Sequence, residues 1–143
     1  MPLDDATAAA LAAWAQFDDH IKDDLLRAVA AAFALVVTAD GEVAPSELES
    51  FVELAHAPGA FGDLPRPKLY HAFRGLCEAM VTDTACGRAR ALGLVEKLRG
   101  DRRAQRVRHA AYIAIGADAR HRAPEDAAYR DVCAALGLEP TGE

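Results

Sequence analysis

Strand-forming signals are scarce in this chain. Aromatic residues make up only 6 % of it, and nowhere do β-branched and polar residues alternate regularly. A sheet is therefore not expected. The longest apolar run, Ala28 to Val37, is too short to cross a bilayer, which takes about 20 residues. The N-terminus carries Asp4 and Asp5 where a secretory signal would carry lysine or arginine, so it does not read as a signal peptide. The three cysteines, Cys77, Cys86 and Cys133, are odd in number and form no CxxC pair, and the five histidines have no zinc spacing. A reduced, cytoplasmic protein is the simplest expectation. Ser–His–Asp spacing, a phosphate-cradling glycine loop and a metalloprotease motif are all missing, which removes the commonest signatures of catalysis.

What is present is alanine and charge. Apolar residues reach 52 % over 143 residues, enough for one domain with a packed core. Alanine favours helix. The net charge of −6 is unevenly divided. Residues 1–64 carry 12 acidic and 2 basic side chains, a net of −10, and residues 65–143 carry 10 and 14, a net of +4. Such polarity can steer cations or partners, although a solvated helical surface accounts for much of it.

Periodicity predicts an all-α, single-domain bundle of about seven helices. The first runs from about Asp5 to Phe17. The second covers Ile21 to Ala39, with Ile21, Leu25, Val29, Phe33 and Val36 at helical spacing and Gly41 as a left-handed stop. The third starts at Pro45 and buries Leu48, Phe51, Val52 and Ala55. After a loop at 57–66, Leu69, Phe73, Leu76 and Met80 mark a fourth. Asp83 or Thr84 should cap the fifth, which stops by Gly100. The sixth, from about Asp101 to Ala117, is basic and then apolar, and its apolar half is expected to be buried on several sides. The seventh begins at Pro124 and packs Tyr129, Val132 and Leu136. Short connections predict antiparallel neighbours.

A shift of 79 residues aligns two segments without a gap. Arg27, Ala31, Ala32, Phe33 and Val36 fall on Arg106, Ala110, Ala111, Tyr112 and Ile115, while Ala44, Pro45 and Glu47 fall on Ala123, Pro124 and Asp126. Each segment is an apolar helix, a polar turn and a proline-started helix. A pseudo-two-fold repeat of a helix pair is expected, with halves at about 25–56 and 104–137. Asp118 stands one place out of this register.

"ALVVTADGEVAPSELESF", "AAYIAIGADARHRAPEDAAYRDVCAALGLEP" and the distance between them resemble the TerB family of tellurite-resistance proteins over about residues 25–140. The first copy matches the family pattern at Ala39, Asp40, Gly41 and Glu47. The second keeps Asp118, Glu125, Asp126 and the closing "LGLEP", but has Ala119 where the family has glycine. The resemblance implies an all-helical cytoplasmic protein of a tellurite and stress-response system. It implies association with other proteins of that system at the inner face of the membrane, and no established enzymatic activity. It also implies that acidic residues of the two turns form the candidate divalent-cation site.

Asp40, Glu42, Glu47, Asp118 and Asp126 are those candidates, and their oxygens suit Ca²⁺ or Mg²⁺. Asp40 lies at a helix C-terminus, where a carboxylate is disfavoured and a cation would compensate. Alternatively these side chains serve only the turn: Ala44, at the N-cap position, has no side-chain oxygen, which leaves donors for Asp40 or Glu47 to satisfy. The spacing is not that of an EF-hand. Arg99, Arg102, Arg103, Arg106 and Arg108 form a basic cluster that could dock anionic lipid, nucleic acid or an acidic partner, or simply be a solvated face. Nucleic acid is the least favoured of these because the protein is acidic. Cys77 and Cys133 fall on apolar stripes and read as core, leaving Cys86 as the thiol that could meet tellurite. The preferred function is therefore a non-enzymatic binding module for proteins of a membrane-associated stress complex, with a divalent cation at the Asp-Gly turn. The alternatives are an enzyme or thiol-dependent handling of tellurite or a metabolite, and a basic-patch nucleic-acid binder.

Overall fold

The computed structural model describes residues 5–21, 23–39, 41, 43–55, 65–115 and 123–140. Among these there are seven helices and no strand: α1 (Asp5–His20), α2 (Asp24–Val37), α3 (Pro45–Ala55), α4 (Arg66–Thr82), α5 (Thr84–Glu96), α6 (Ala104–Ile115) and α7 (Ala123–Leu136). The all-α reading of the sequence holds. The expected loop at 57–66 lies almost wholly outside the described residues, as does the turn before α7.

The boundary between α1 and α2 differs from expectation for a local reason. α1 runs past Phe17 to His20, and Ile21 N–H still donates to Phe17 C=O at 2.9 Å. Asp23 then accepts from Leu26 N–H at 2.9 Å and caps α2. An N-cap has extended backbone, so α2 begins at Asp24 and Ile21 lies in the corner between the helices. Ile21 is nevertheless buried, which is why it fits the periodic stripe of the following helix.

The centre of the molecule is α2. From Leu25 to Val37 every residue but Arg27 is buried. α4, α5, α6 and α7 all pack against it, α6 and α5 most extensively. α6 is less enclosed than the sequence suggests: Ala110, Ala111, Ala114 and Ile115 are buried, but Tyr112 is exposed and touches Tyr129 edge-on. Phe33, Phe51 and Phe73 join α2, α3 and α4, with Phe51 and Phe73 stacked at 4.1 Å and Phe33 edge-on to both. Such ring pairs stabilise beyond their buried area by about 0.5–1.5 kcal/mol each.

α1 lies mainly on α4 rather than on its sequence neighbour. Its Trp14 and Phe17 are buried and meet edge-on at 5.8 Å. Asp18 accepts from Arg27 on α2 at 2.6 Å and from Arg90 on α5 at 3.2 Å. Those guanidinium groups also sit over the rings of Phe17 and Trp14. Asp18 thus serves an ion-pair fork and Asp23 a helix cap.

Candidate functional site

α2 ends at Val37, where Thr38 closes it by donating its hydroxyl to Ala34 C=O at 2.6 Å. The chain then turns at Gly41, whose N–H reaches Thr38 C=O at 2.9 Å with φ of 83°. That left-handed conformation is strained for any residue with a Cβ, so the glycine is required by the turn. α3 begins at Pro45, and Glu47 in its first turn accepts from Ala44 N–H at 2.7 Å. This is the carboxylate half of a capping box, with alanine where serine or threonine would complete it. The expectation that Glu47 would satisfy a donor at this turn is met.

Glu47 is only 3 % exposed, and Glu125, at the equivalent stage of α7, only 1 %. Burying a carboxylate is costly unless it is hydrogen-bonded, paired or bound to a metal. Asp126 is half-buried. Asp40, Glu42 and Asp118 lie outside the described residues, and no group of three acidic, histidine or cysteine side chains able to hold a metal occurs among the described ones. Of the two candidate carboxylates among the described residues, Glu47 is buried at its turn and Asp126 is half-buried. Glu125 is the residue that the 79-residue register passes over. The signal for it was present: Glu47 follows Asp40 by seven residues, and Glu125 follows Asp118 by seven.

Beside the first turn is a cleft of about 310 Å³. Gly41, Val43 and Leu48 form one wall, and Cys77, Glu78 and Val81 of α4 the other. Burial pushes the Cys77 thiol well above its ordinary value, and the Glu47 and Glu78 carboxylates push it further. Cys77 is therefore a neutral thiol and a poor nucleophile. Burial also raises Cys133, partly offset by a hydrogen bond with Tyr129 and by Arg108. Both belong to the core as expected, and Cys86 is exposed at the start of α5.

Three of the five arginines of the basic cluster make side-chain hydrogen bonds within the chain. Arg99 donates to Ala134 C=O at 3.2 Å and so completes the C-terminal end of α7. Arg108 donates to Glu139 C=O at 3.0 Å. Arg103 forks onto Asp101, with Nε and Nη2 both at 3.1 Å from its carboxylate oxygens. Arg102 and Arg106 are exposed.

The family model described as tellurite resistance protein TerB matches residues 26–142. The chain belongs to the TerB family. The match to TerB takes in α2 to α7 and leaves α1 outside. No curated protein and no solved structure matched the chain. No helix among the described residues of this TerB-family chain is long and apolar enough to cross a membrane.

Proposed function

We propose that this TerB-family chain is a non-enzymatic, cytoplasmic binding module of a tellurite-resistance and stress-response system. Its partners are other proteins of that system, assembled at the inner face of the membrane, and a divalent cation, Ca²⁺ or Mg²⁺, is held at the first turn. The observation that carries the cation reading is the buried carboxylate of Glu47 behind a left-handed glycine, with Asp40 and Glu42 on either side of Gly41 in sequence. Hard oxygen donors of this kind fit Ca²⁺ and Mg²⁺ rather than soft metals. Asp40, Glu42 and Glu47 would hold the ion. Glu125 and Asp118 would play the same part in the second turn, so that α2–α3 and α6–α7 are two versions of one unit.

The rival readings have less support. Thiol handling of tellurite gains nothing from Cys77 and Cys133, which are buried and held in the protonated form. A nucleic-acid face built on the arginines would have to recruit Arg99 and Arg108, which already donate to backbone carbonyls of Ala134 and Glu139. Calorimetry with Ca²⁺, Mg²⁺ and Zn²⁺ tests the proposal. Wild type should bind Ca²⁺ or Mg²⁺, and Asp40→Ala and Glu47→Gln should weaken binding by about tenfold or more. Glu47→Gln retains an oxygen for the Ala44 N–H, so its effect reports charge rather than a broken turn. Absence of binding to wild type, or equal binding by both variants, removes the site.

A further inference from the structure

We propose that α1 is exchangeable between two copies of this chain: at high concentration α1 and α2 straighten into one helix, and each copy lays its α1 on the α4 of the other. The inference goes beyond the binding reading above and stands without it. Among the described residues α1 packs extensively on α4 alone, whereas every other helix packs on several. Its seat is shallow. Only Trp14 and Phe17 of its described side chains are buried. A gap of about 80 Å³ remains between Ala9 and Ala13 on one side and Glu78, Ala79 and Thr82 on the other. A helix held through one partner can be given up and regained without disturbing the rest of the core.

The corner that returns α1 to its own α4 rests on little. Residues 5–37 contain neither proline nor glycine, so no residue there is a helix breaker. Ile21 N–H is bonded back to Phe17 C=O and Arg27 N–H to Asp23 C=O, both at 2.9 Å, so helical bonding stops for a few residues only. At Asp23 φ is −71°, a helical value, and ψ alone is extended at 127°. The Asp23 carboxylate holds that backbone by capping Leu26 N–H at 2.9 Å. Helical dihedral angles through the corner would make Asp5 to Val37 one helix of about 50 Å. Trp14 and Phe17 then leave their own α4 and need an apolar seat. The α4 of a second copy, vacated in the same way, is the surface already shaped for them. Asp18 of one copy meets Arg27 and Arg90 of the other, so the ion-pair fork is re-formed across the dimer. Intramolecular advantage favours the closed corner in dilute solution, and rising concentration favours exchange.

Light scattering of the full chain after size exclusion, from about 10 µM to about 1 mM, should show a dimer that grows with concentration. Asp23→Ala removes the cap and should strengthen dimerisation by about fivefold or more. Asp24→Pro fits the first turn of α2 after the extended Asp23 but bars the straight helix. It should abolish the dimer and leave the monomer folded. A mixed disulfide identifies the contact. A Cβ on Gly75 would stand 3.8 Å from the Ala13 Cβ, at disulfide spacing. Cys86→Ser chains carrying Ala13→Cys alone are refolded at high concentration with Cys86→Ser chains carrying Gly75→Cys alone. No chain then holds both thiols, so a 13–75 disulfide reports exchange. Mass spectrometry should find it in preference to 13–13 and 75–75 pairs. A wild type and Asp23→Ala that both stay monomeric, a dimer without that disulfide, or a dimer indifferent to Asp24→Pro overturns the proposal.

Discussion

Asp101 and Arg103 form a two-pronged charged pair on the surface. The Asp101 carboxylate accepts from both the side chain and the backbone N–H of Arg103, the latter at 2.8 Å, and so shapes the turn into α6. Those hydrogen bonds lower its pKa from 3.8 to about 2. A carboxylate depressed in the folded state adds stability that is fully present above its unfolded value and is lost as the pH falls through the folded one. The contribution of Asp101 should therefore fade between about pH 4 and pH 2. Carbon-detected NMR of the Asp101 carboxyl group should show a midpoint near 2, moving up toward 3.8 in Arg103→Ala. At the same scale, the buried Glu125 shows where sequence falls short. Glu125 and Asp126 are adjacent acids, and composition does not separate them. One residue turns a helix by about 100°, so one faces the core and the other does not. Which one is decided by how α7 lies on α2 and α6, a non-local fact.

The helices themselves show how a single position can be read through its surroundings. A Cβ built on Gly87 of α5 would stand 2.9 Å from the Met80 Cα of α4, a backbone atom that cannot swing aside. A Cβ on Gly93 of the same helix would meet nothing within 4 Å. Alanine improves helix propensity by about 1 kcal/mol at either site, but overpacking costs about 1–3 kcal/mol at the first. Chemical denaturation should therefore find Gly87→Ala destabilised by about 1–2 kcal/mol and Gly93→Ala stabilised by about 0.5–1 kcal/mol. Equal effects would contradict the close approach of α4 and α5. The number and approximate extent of the helices were legible in the sequence because periodicity, caps and stops act over a few residues. Leu69, Phe73, Leu76 and Met80 do form the buried stripe of α4. The seating of α1 on α4 was not legible, since nothing local to Trp14 or Phe17 names the helix they cover. Glu47 is buried and accepts from the Ala44 N–H.

Across the whole molecule, three helices meet at Asp18. Its carboxylate receives Arg27 of α2 and Arg90 of α5, and both arginines lie against aromatic rings of α1. Arg27 is largely shielded, with 17 % of its side chain exposed, so its pair should be stronger than an ordinary surface one. Asp18→Ala should lower unfolding stability by about 1–2 kcal/mol, with a smaller loss in high salt. Urea titrations at two ionic strengths check both parts. An unchanged midpoint would mean that α1 is held by apolar packing alone.

Kinship and burial draw different borders on this chain. The family's signature begins at residue 26, yet Trp14, Phe17 and Ile21 already belong to the interior. A fragment trimmed to the shared region would bare the face of α4 that α1 covers and leave Arg27 and Arg90 without their carboxylate. For this chain the unit that folds extends beyond the stretch that the family model matches.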